Sequence, residues 1–244
     1  MSGPLLSTHG LSAGYGDFQA LFGIDFTVQA GEAVALIGAN GAGKSTLLKC
    51  LTGLLVPTAG TVQFDGESVG GLPPHRLVAR GVAMVPEGRR LFTGLTVEEN
   101  LRVARDHGRR SERLEPSWTI PRVQSLFPVL REKRHAVVES LSGGQQQMVA
   151  IARALLCNPR LLLCDELSLG LAPRVIMEIY DALPTIAAQG MALVLVEQDV
   201  ALAQRSSQRL YCLLEGRVTL SAPSPQVTRE AITSAFFGAD HAVA

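Results

Sequence analysis

The chain has 244 residues, of which 47% are hydrophobic, and its 22 basic residues balance its 22 acidic ones. This composition predicts a globular protein with a substantial core, and the zero net charge excludes a global field that would attract nucleic acid or an anionic membrane. No apolar run reaches the roughly 18 residues that a membrane-spanning helix needs, and the N-terminus lacks a signal-peptide pattern, so we expect a soluble, cytoplasmic chain. Four scattered cysteines and five scattered histidines predict neither disulfides nor a structural metal site.

The first part of the chain predicts antiparallel β structure over residues 5–35 and 60–67. Pro57, Gly60 and Gly66 supply the turn signals. Within this region, the apolar segment AVALI (Ala33–Ile37) predicts a short buried strand.

A glycine-rich loop, GANGAGKST, follows this strand directly and leads into the apolar-periodic segment LLKCLTG. A strand, a loop of the pattern G-x-x-x-x-G-K-[ST] and a helix together predict a phosphate-binding site, because the glycines let backbone N–H groups face an anion. We expect Lys44 to reach the β- and γ-phosphate oxygens, and the Ser45 hydroxyl to ligate Mg²⁺. The alternative, a glycine-rich turn with an incidental lysine, does not explain the flanking strand and helix. The residues predicted to surround the phosphates are Gly38, Asn40, Gly41, Ala42, Gly43, Lys44, Ser45 and Thr46.

Residues 88–158 predict a mostly helical insertion, in which the segment LSGGQQQ starts a helix with an apolar stripe. Ser142 is expected to cap this helix, while Gly143 and Gly144 leave its first amides uncovered, so that the segment predicts a second anion site. An ordinary capped helix would explain Ser142. It would not explain two successive glycines, each of which costs a helix interior about 1 kcal/mol relative to alanine.

The segment LLLCDE, residues 161–166, predicts a strand that ends in two carboxylates. Asp165 is expected to hold Mg²⁺, usually through water, and Glu166 to lie where an attacking water sits. The alternative for Asp165 is a cap at a strand-to-helix junction, and the phosphate loop elsewhere in the chain favours the metal role.

A further apolar strand, residues 194–196, stops on Glu197, Gln198 and Asp199. Open α/β sheets bind their ligands at the C-terminal edges of their strands, so we expect this polar cluster to face the same ligand. Beyond Glu215 we expect only a short tail.

Taken in order, GANGAGKST, LSGGQQQ, LLLCDE and LVEQDV resemble the motifs of the ATP-binding cassette (ABC) ATPases, whose signature is LSGGQ. The resemblance covers nearly the whole chain. It implies an α/β fold with a P-loop NTPase core of mostly parallel sheet, an N-terminal antiparallel β subdomain and an inserted helical subdomain. It also implies one domain over residues 5–244, with the core in 5–87 and 159–244 and the insertion in 88–158.

The resemblance implies a head-to-tail pair of such domains, in which ATP on one is closed over by the signature of the other: Ser142, Gly143, Gly144 and Gln145. Tyr15 looks like the aromatic residue that stacks on adenine, although a tyrosine packed on the sheet edge is the alternative. The implied catalytic residues are Lys44, Glu166 and Gln198. The implied Mg²⁺ ligands are Ser45, Glu87 and Asp165.

Three positions depart from the general pattern of the family. Glu87 stands where a glutamine is usual, Gln198 where a histidine is usual, and Leu167 where a proline is common. The first two, together with GRRLFTGLTVEENL and SLGLAP, are similar to the second ATPase subunit of bacterial branched-chain amino-acid uptake systems.

That similarity implies an ATP-hydrolysing, energy-coupling subunit that lies peripherally on the cytoplasmic face of the inner membrane. The implied partners are transmembrane permeases, a second ABC ATPase subunit of the same or a different kind, and indirectly an extracytoplasmic substrate-binding protein, but no nucleic acid. Two alternatives stay open: a related importer of urea or short amides, and a soluble ABC ATPase acting on DNA or the ribosome. The long coiled-coil insertion or second cassette typical of the soluble class is absent from the sequence.

Overall fold

The computed structural model describes residues 3–107, 118–188 and 190–238. The chain divides into two compact units: a terminal unit, formed by residues up to 74 and from 192 onward, and a central unit, formed by residues 75–191. The predicted helical insertion belongs to the central unit, and its residues 108–117 lie outside the described ranges. None of the helices in those ranges combines the length and apolar character that crossing a membrane requires.

The elements alternate along the chain as expected for an α/β protein. The strands are β1 (Leu6–Tyr15), β2 (Phe18–Val28), β3 (Ala33–Ile37), β4 (Ala59–Phe64), β5 (Glu67–Ser68), β6 (Val82–Val85), β7 (Leu161–Asp165), β8 (Ala192–Val196), β9 (Arg209–Leu214) and β10 (Arg217–Pro223). The helices are α1 (Lys44–Leu51), α2 (Pro74–Arg80), α3 (Val97–His107), α4 (Ile120–Leu126), α5 (Val129–Glu132), α6 (Gly143–Leu156), α7 (Pro173–Ala187), α8 (Val200–Arg205) and α9 (Arg229–Phe237).

The terminal unit contains an antiparallel sheet with the strand order β2-β1-β4-β5. It also contains the strands β10-β9-β3-β8, in which β3 pairs in parallel with both β8 and β9. The predicted α/β class, with a mostly parallel sheet and an antiparallel N-terminal sheet, is confirmed. The antiparallel region was expected to reach residue 35, and this is wrong at its end, because residues 33–35 already belong to the parallel strand β3.

Strands β3 and β8 are buried along their whole length. Parallel strands that are covered on both faces read as continuous apolar runs, and this explains why AVALI and ALVLV show no alternation with polar residues. The tail beyond Glu215 forms more structure than expected, since β10 pairs with β9 and α9 packs on both strands.

In the central unit, β6 pairs in parallel with β7, and α3 packs against α6. The fully buried Asn100 fixes the loop that precedes α3: its Oδ1 accepts from the Phe92 N–H at 2.9 Å, and its Nδ2 donates to the Phe92 carbonyl at 3.1 Å. The side chain therefore replaces the backbone partners that this loop lacks.

A two-pronged ion pair ties the turn before β3 to β9 within the terminal unit. Arg209 Nε and Nη2 each donate to a different Glu32 carboxylate oxygen at 2.9 Å. The Arg209 side chain is 22% exposed and that of Glu32 is 14% exposed, so water screens the pair only partly. Because Glu32 directly precedes β3, this pair also fixes the strand that leads into the glycine-rich loop.

We predict that Glu32→Gln lowers the free energy of unfolding by about 1 to 3 kcal/mol, since it leaves the half-buried Arg209 without its anionic partner. Urea denaturation measures this loss. Glu98→Gln is the matched control, because it breaks the exposed pair of Glu98 with Arg102 on α3 and should cost about 0.5 kcal/mol or less. Equal losses in the two variants would contradict a special role for the Glu32 pair.

Candidate functional site

The glycine-rich loop turns directly from β3 into α1, as the sequence predicts. Gly38, Gly41 and Gly43 have φ angles of 149°, 83° and 102°, which disfavour any residue with a side chain. Two of these glycines also lie in close contact with other strands of the terminal unit. A Cβ on Gly38 would lie 2.3 Å from the Leu213 carbonyl oxygen, and one on Gly43 would lie 2.7 Å from Leu21 Cδ2. The loop can therefore pass between β2 and β9 only with glycine at both positions.

Lys44 is 5% exposed, and its ammonium group lies back over the loop. Its Nζ donates to the Gly38 carbonyl at 2.7 Å and to the Ala39 carbonyl at 3.0 Å. Asn40 and Gly41 are exposed at the rim of the loop. The arrangement places a cation and the N-terminus of an eight-residue helix at one surface of the terminal unit, which suits a phosphate group.

Neutral thiols border the loop. Burial raises the pKa of Cys50, on α1, to about 11. Burial also raises the pKa of Cys212, which is paired with Ile37 in the register of β3 and β9. Both thiols therefore stay protonated at neutral pH, and Cys212, which lies within electrostatic reach of Lys44, carries no negative charge that would compete with an anion for it.

Tyr15 stands beside the loop, at the end of β1. Its hydroxyl oxygen is 3.4 Å from the Thr46 Oγ1 and accepts a hydrogen bond from Lys49 Nζ at 3.1 Å. Tyr15 is 44% exposed, so part of its surface is open to a ligand, and its contact with adenine stays a prediction beside the alternative of a tyrosine packed on the sheet edge. Sequence reasoning missed Lys49, although its position three residues after Thr46 puts it on the same face of α1.

The three polar residues that follow β8, which are Glu197, Gln198 and Asp199, lie in different environments. Glu197 is 1% exposed, and its backbone N–H donates to the Leu36 carbonyl of β3. Gln198 is exposed. Asp199 caps α8, since its Oδ1 accepts from the Leu202 N–H at 3.0 Å. Capping alone accounts for Asp199, and the expectation that the three residues face a ligand stays a prediction.

In the central unit, β7 ends on Asp165, which is 4% exposed. Glu166, the next residue, has a φ of 50°, an unusual backbone conformation for a residue other than glycine. Residues held in such conformations cluster at active sites. Leu167 is 1% exposed and anchors the turn in the core of its unit.

The signature segment starts α6 with a complete capping box. The Ser142 Oγ accepts from the Gln145 N–H at 3.3 Å, and the Gln145 Oε1 accepts from the Ser142 N–H at 3.0 Å. The prediction that Ser142 caps this helix is confirmed. A Cβ on Gly144 would lie 2.4 Å from Val175 Cγ1, and one on Gly143 would lie 2.9 Å from Arg89 Nη2. The second glycine is thus required by packing against α7, whereas the first faces a flexible side chain.

Glu87 is exposed and precedes two arginines with positive φ, Arg89 at 63° and Arg90 at 44°. The Arg89 Nη1 donates to the Gln146 Oε1 at 3.1 Å, so the segment after Glu87 is linked to the first turn of α6. Sequence reasoning did not predict this contact between residues 57 positions apart.

A groove of about 440 Å³ opens beside the segment that follows Glu87. Phe92, 42% exposed, stacks beneath the Arg153 guanidinium at 4.2 Å, and the Arg153 Nη1 donates to the Arg90 carbonyl at 2.8 Å. Burial lowers the pKa of Arg153. The described lining contains three arginines and no carboxylate, so the groove is apolar with a basic rim.

The chain is similar in sequence and in fold to proteins whose family is known. Residues 21–168 match the family model described as ABC transporter. The chain is 40% identical to the high-affinity branched-chain amino acid transport ATP-binding protein BraG of Pseudomonas aeruginosa, with 96% of this chain and 100% of the relative covered. It is 34% identical to the probable branched-chain amino acid transport ATP-binding protein LivF of Archaeoglobus fulgidus, with 91% and 94% covered. A solved structure described as the ATP binding subunit of an ABC transporter superposes with a TM-score of 0.79 at 33% identity, covering 90% of each chain.

We predict that Gly144→Ala destabilises the protein despite the better helix propensity of alanine, because the added methyl group overlaps Val175. Thermal or urea unfolding should show a loss of about 1 to 2 kcal/mol. Val175→Ala in the same chain should restore most of it. If the double variant is as unstable as Gly144→Ala alone, the packing explanation is wrong.

Proposed function

This chain belongs to the ABC transporter family, and we propose that it is the energy-coupling subunit of a membrane importer for branched-chain amino acids. Family membership makes it an ATP-binding subunit with ATPase activity. The observation that supports the cargo is the likeness, across nearly the full chain, to two proteins named as branched-chain amino acid transport ATP-binding proteins.

The proposed nucleotide site is built on the terminal unit. The adenine stacks on Tyr15, the backbone N–H groups of the loop from Gly38 to Thr46 surround the phosphates, and Lys44 binds the β- and γ-phosphate oxygens. The support is geometric. The buried Lys44 ammonium group lies 2.7 and 3.0 Å from two loop carbonyl oxygens. It is already desolvated, so binding an anion adds little further desolvation cost.

We propose that Ser45, Asp165 and Glu87 hold Mg²⁺, directly or through water. A hydroxyl and two carboxylates are all hard oxygen donors, the kind that Mg²⁺ prefers, and they leave room for water and phosphate oxygens. When bound, Mg²⁺ would neutralise part of the charge on the β- and γ-phosphates.

Glu166 is the proposed general base. Glu166 orients a water molecule and takes up its proton. The water oxygen attacks the γ-phosphorus, and the bond from the γ-phosphorus to the bridging oxygen breaks, which gives ADP and phosphate. Its strained backbone at φ 50° supports a functional position. Gln198 is proposed to donate from its amide to the γ-phosphate, and unlike a histidine this amide does not titrate near neutral pH.

The second ATPase subunit, identical or different, would close the site. In an identical partner, residues Ser142, Gly143, Gly144 and Gln145 would bring the N-terminus of α6 to the γ-phosphate, where the helix dipole favours an anion. In this chain the Ser142 side chain is already occupied by the capping box. We therefore propose that backbone amides of the signature, rather than rearranged side chains, supply most of the contact.

We propose that the chain lies on the cytoplasmic face of the inner membrane, bound to transmembrane permeases that receive cargo from an extracytoplasmic binding protein. No nucleic acid partner is part of the proposal. The groove lined by Phe92 and Arg153 is the proposed permease site. Its exposed aromatic residue and its basic rim suit an apolar segment that carries an acidic residue.

We predict that Glu166→Gln keeps ATP binding within about twofold and lowers hydrolysis by at least about a hundredfold, because it removes the proton acceptor but keeps the shape of the side chain. Binding by calorimetry and phosphate release by the assembled transporter measure the two effects. Lys44→Ala is the control. Unlike Glu166→Gln, this variant should weaken ATP binding itself. Retained turnover in Glu166→Gln would place the base elsewhere, and unchanged binding in Lys44→Ala would refute the phosphate-loop assignment.

We predict that Phe92→Glu reduces recovery of the permeases by at least about tenfold in a pull-down of tagged protein from solubilised host membranes, since it removes an aromatic anchor and opposes an acidic partner. ATP binding by the isolated subunit should be unchanged. Phe237→Glu, at a phenylalanine that is 63% exposed on α9, is the matched control and should leave recovery unchanged.

The same pull-down tests the proposed function as a whole. Recovery of two polytopic permeases and a second ABC ATPase supports the importer, and the associated binding protein can then be titrated with leucine, isoleucine, valine and urea to identify the cargo. Recovery of ribosomal or DNA-bound partners without a membrane protein would refute the transport role and leave the ATPase chemistry intact.

A further inference from the structure

The hydroxyl of Tyr15 is held between two side chains of α1. Lys49 Nζ lies 3.1 Å from the hydroxyl oxygen, and the Thr46 Oγ1 lies 3.4 Å from it. An ammonium group can only donate, so the phenol oxygen accepts from Lys49 and its own proton is available to Thr46. The aromatic residue at the end of β1 is thereby connected to the first and the last turn of α1, the helix that follows the phosphate loop.

The position of the ammonium group favours the hydroxyl over the ring face. Lys49 Nζ is 5.2 Å from the centre of the Tyr15 ring but only 3.1 Å from its hydroxyl oxygen. The cation therefore sits toward the hydroxyl end of the ring. Such a position restrains the ring while leaving the centre of its face for a planar partner.

Tyr15 needs such a restraint because of where it stands in the fold. It pairs with Phe18 across the turn between β1 and β2, and the residue is 44% exposed. A half-exposed aromatic side chain loses rotamer freedom when a ligand immobilises it, and this loss weakens binding. Thr46, which is 8% exposed, offers a rigid anchor, and Lys49 adds a charge-assisted bond.

We propose that Lys49 is a positioning residue for the nucleotide base: it holds the Tyr15 hydroxyl, with Thr46, so that the ring is ordered before adenine stacks on it. The inference rests on the proposed function, in which Tyr15 contacts adenine. It makes the hydroxyl of Tyr15 a link between the base and the phosphate loop. The competing explanation is that Lys49 attracts the phosphates through its charge alone.

ADP and inorganic pyrophosphate distinguish these explanations, because they share a diphosphate and only ADP has a base. Calorimetric titration of the isolated subunit with each ligand gives two dissociation constants per variant. We expect Lys49→Met to weaken ADP binding about three- to tenfold and pyrophosphate binding less than about twofold, in line with the net contribution of one solvent-exposed hydrogen bond. Lys49→Arg should keep ADP affinity within about twofold of the wild type.

Tyr15→Phe completes a double-mutant cycle, since it removes the hydroxyl and keeps the ring. It should weaken ADP binding about as much as Lys49→Met, and the double variant should bind no more weakly than either single variant. Equal losses for ADP and pyrophosphate in Lys49→Met, or losses that multiply in the double variant, would overturn the inference.

Tyr15→Leu separates a failure of the inference from a failure of its premise. If this variant binds ADP as tightly as the wild type, Tyr15 does not contact adenine, and the positioning role falls with that contact. If Tyr15→Leu weakens ADP binding but Lys49→Met does not, the adenine contact stands and only the role of Lys49 is refuted.

Discussion

The turn from β3 into α1 is the constraint on which the terminal unit depends. The chain must leave a fully buried strand, pass under the Leu213 carbonyl at Gly38, pass beside Leu21 at Gly43, and begin a helix at once. Even one methyl group at either glycine would clash. The buried Lys44 completes the turn, because its ammonium group donates to the Gly38 and Ala39 carbonyls of the tight loop. The features that make the loop fold are thus the features that prepare it for phosphate.

The sequence predicts the interior strands and the start of α6 well because their signals are local. β3, β7 and β8 are short apolar runs bounded by glycine or by acids, and the structure places all three within two residues of the expected limits. The cap by Ser142 follows from the spacing to Gln145, which is also a local signal. Each of these features depends on residues at most a few positions apart.

The parts that escaped prediction depend on contacts between residues far apart in the chain. Lys49 contacts Tyr15 across 34 positions, and Arg89 contacts Gln146 across 57. No periodicity encodes such pairs. The strand β10 was missed for another reason: its alternating half-buried pattern is weak beside the continuous apolar runs of the interior strands. The cap by Asp199 could have been found, since an aspartate directly before an apolar helix is a common start signal.

The backbone of Glu166 shows how the central unit holds a strained residue in place. A left-handed conformation costs a non-glycine residue on the order of 1 to 3 kcal/mol. The next side chain, Leu167, is 1% exposed, and burying a leucine contributes roughly 1.5 to 3 kcal/mol. Burial of Leu167 is therefore large enough to offset the strain at Glu166. A proline at position 167 would instead bias the preceding residue toward extended backbone, so leucine preserves the observed conformation while its burial fixes the backbone of Glu166 directly after β7.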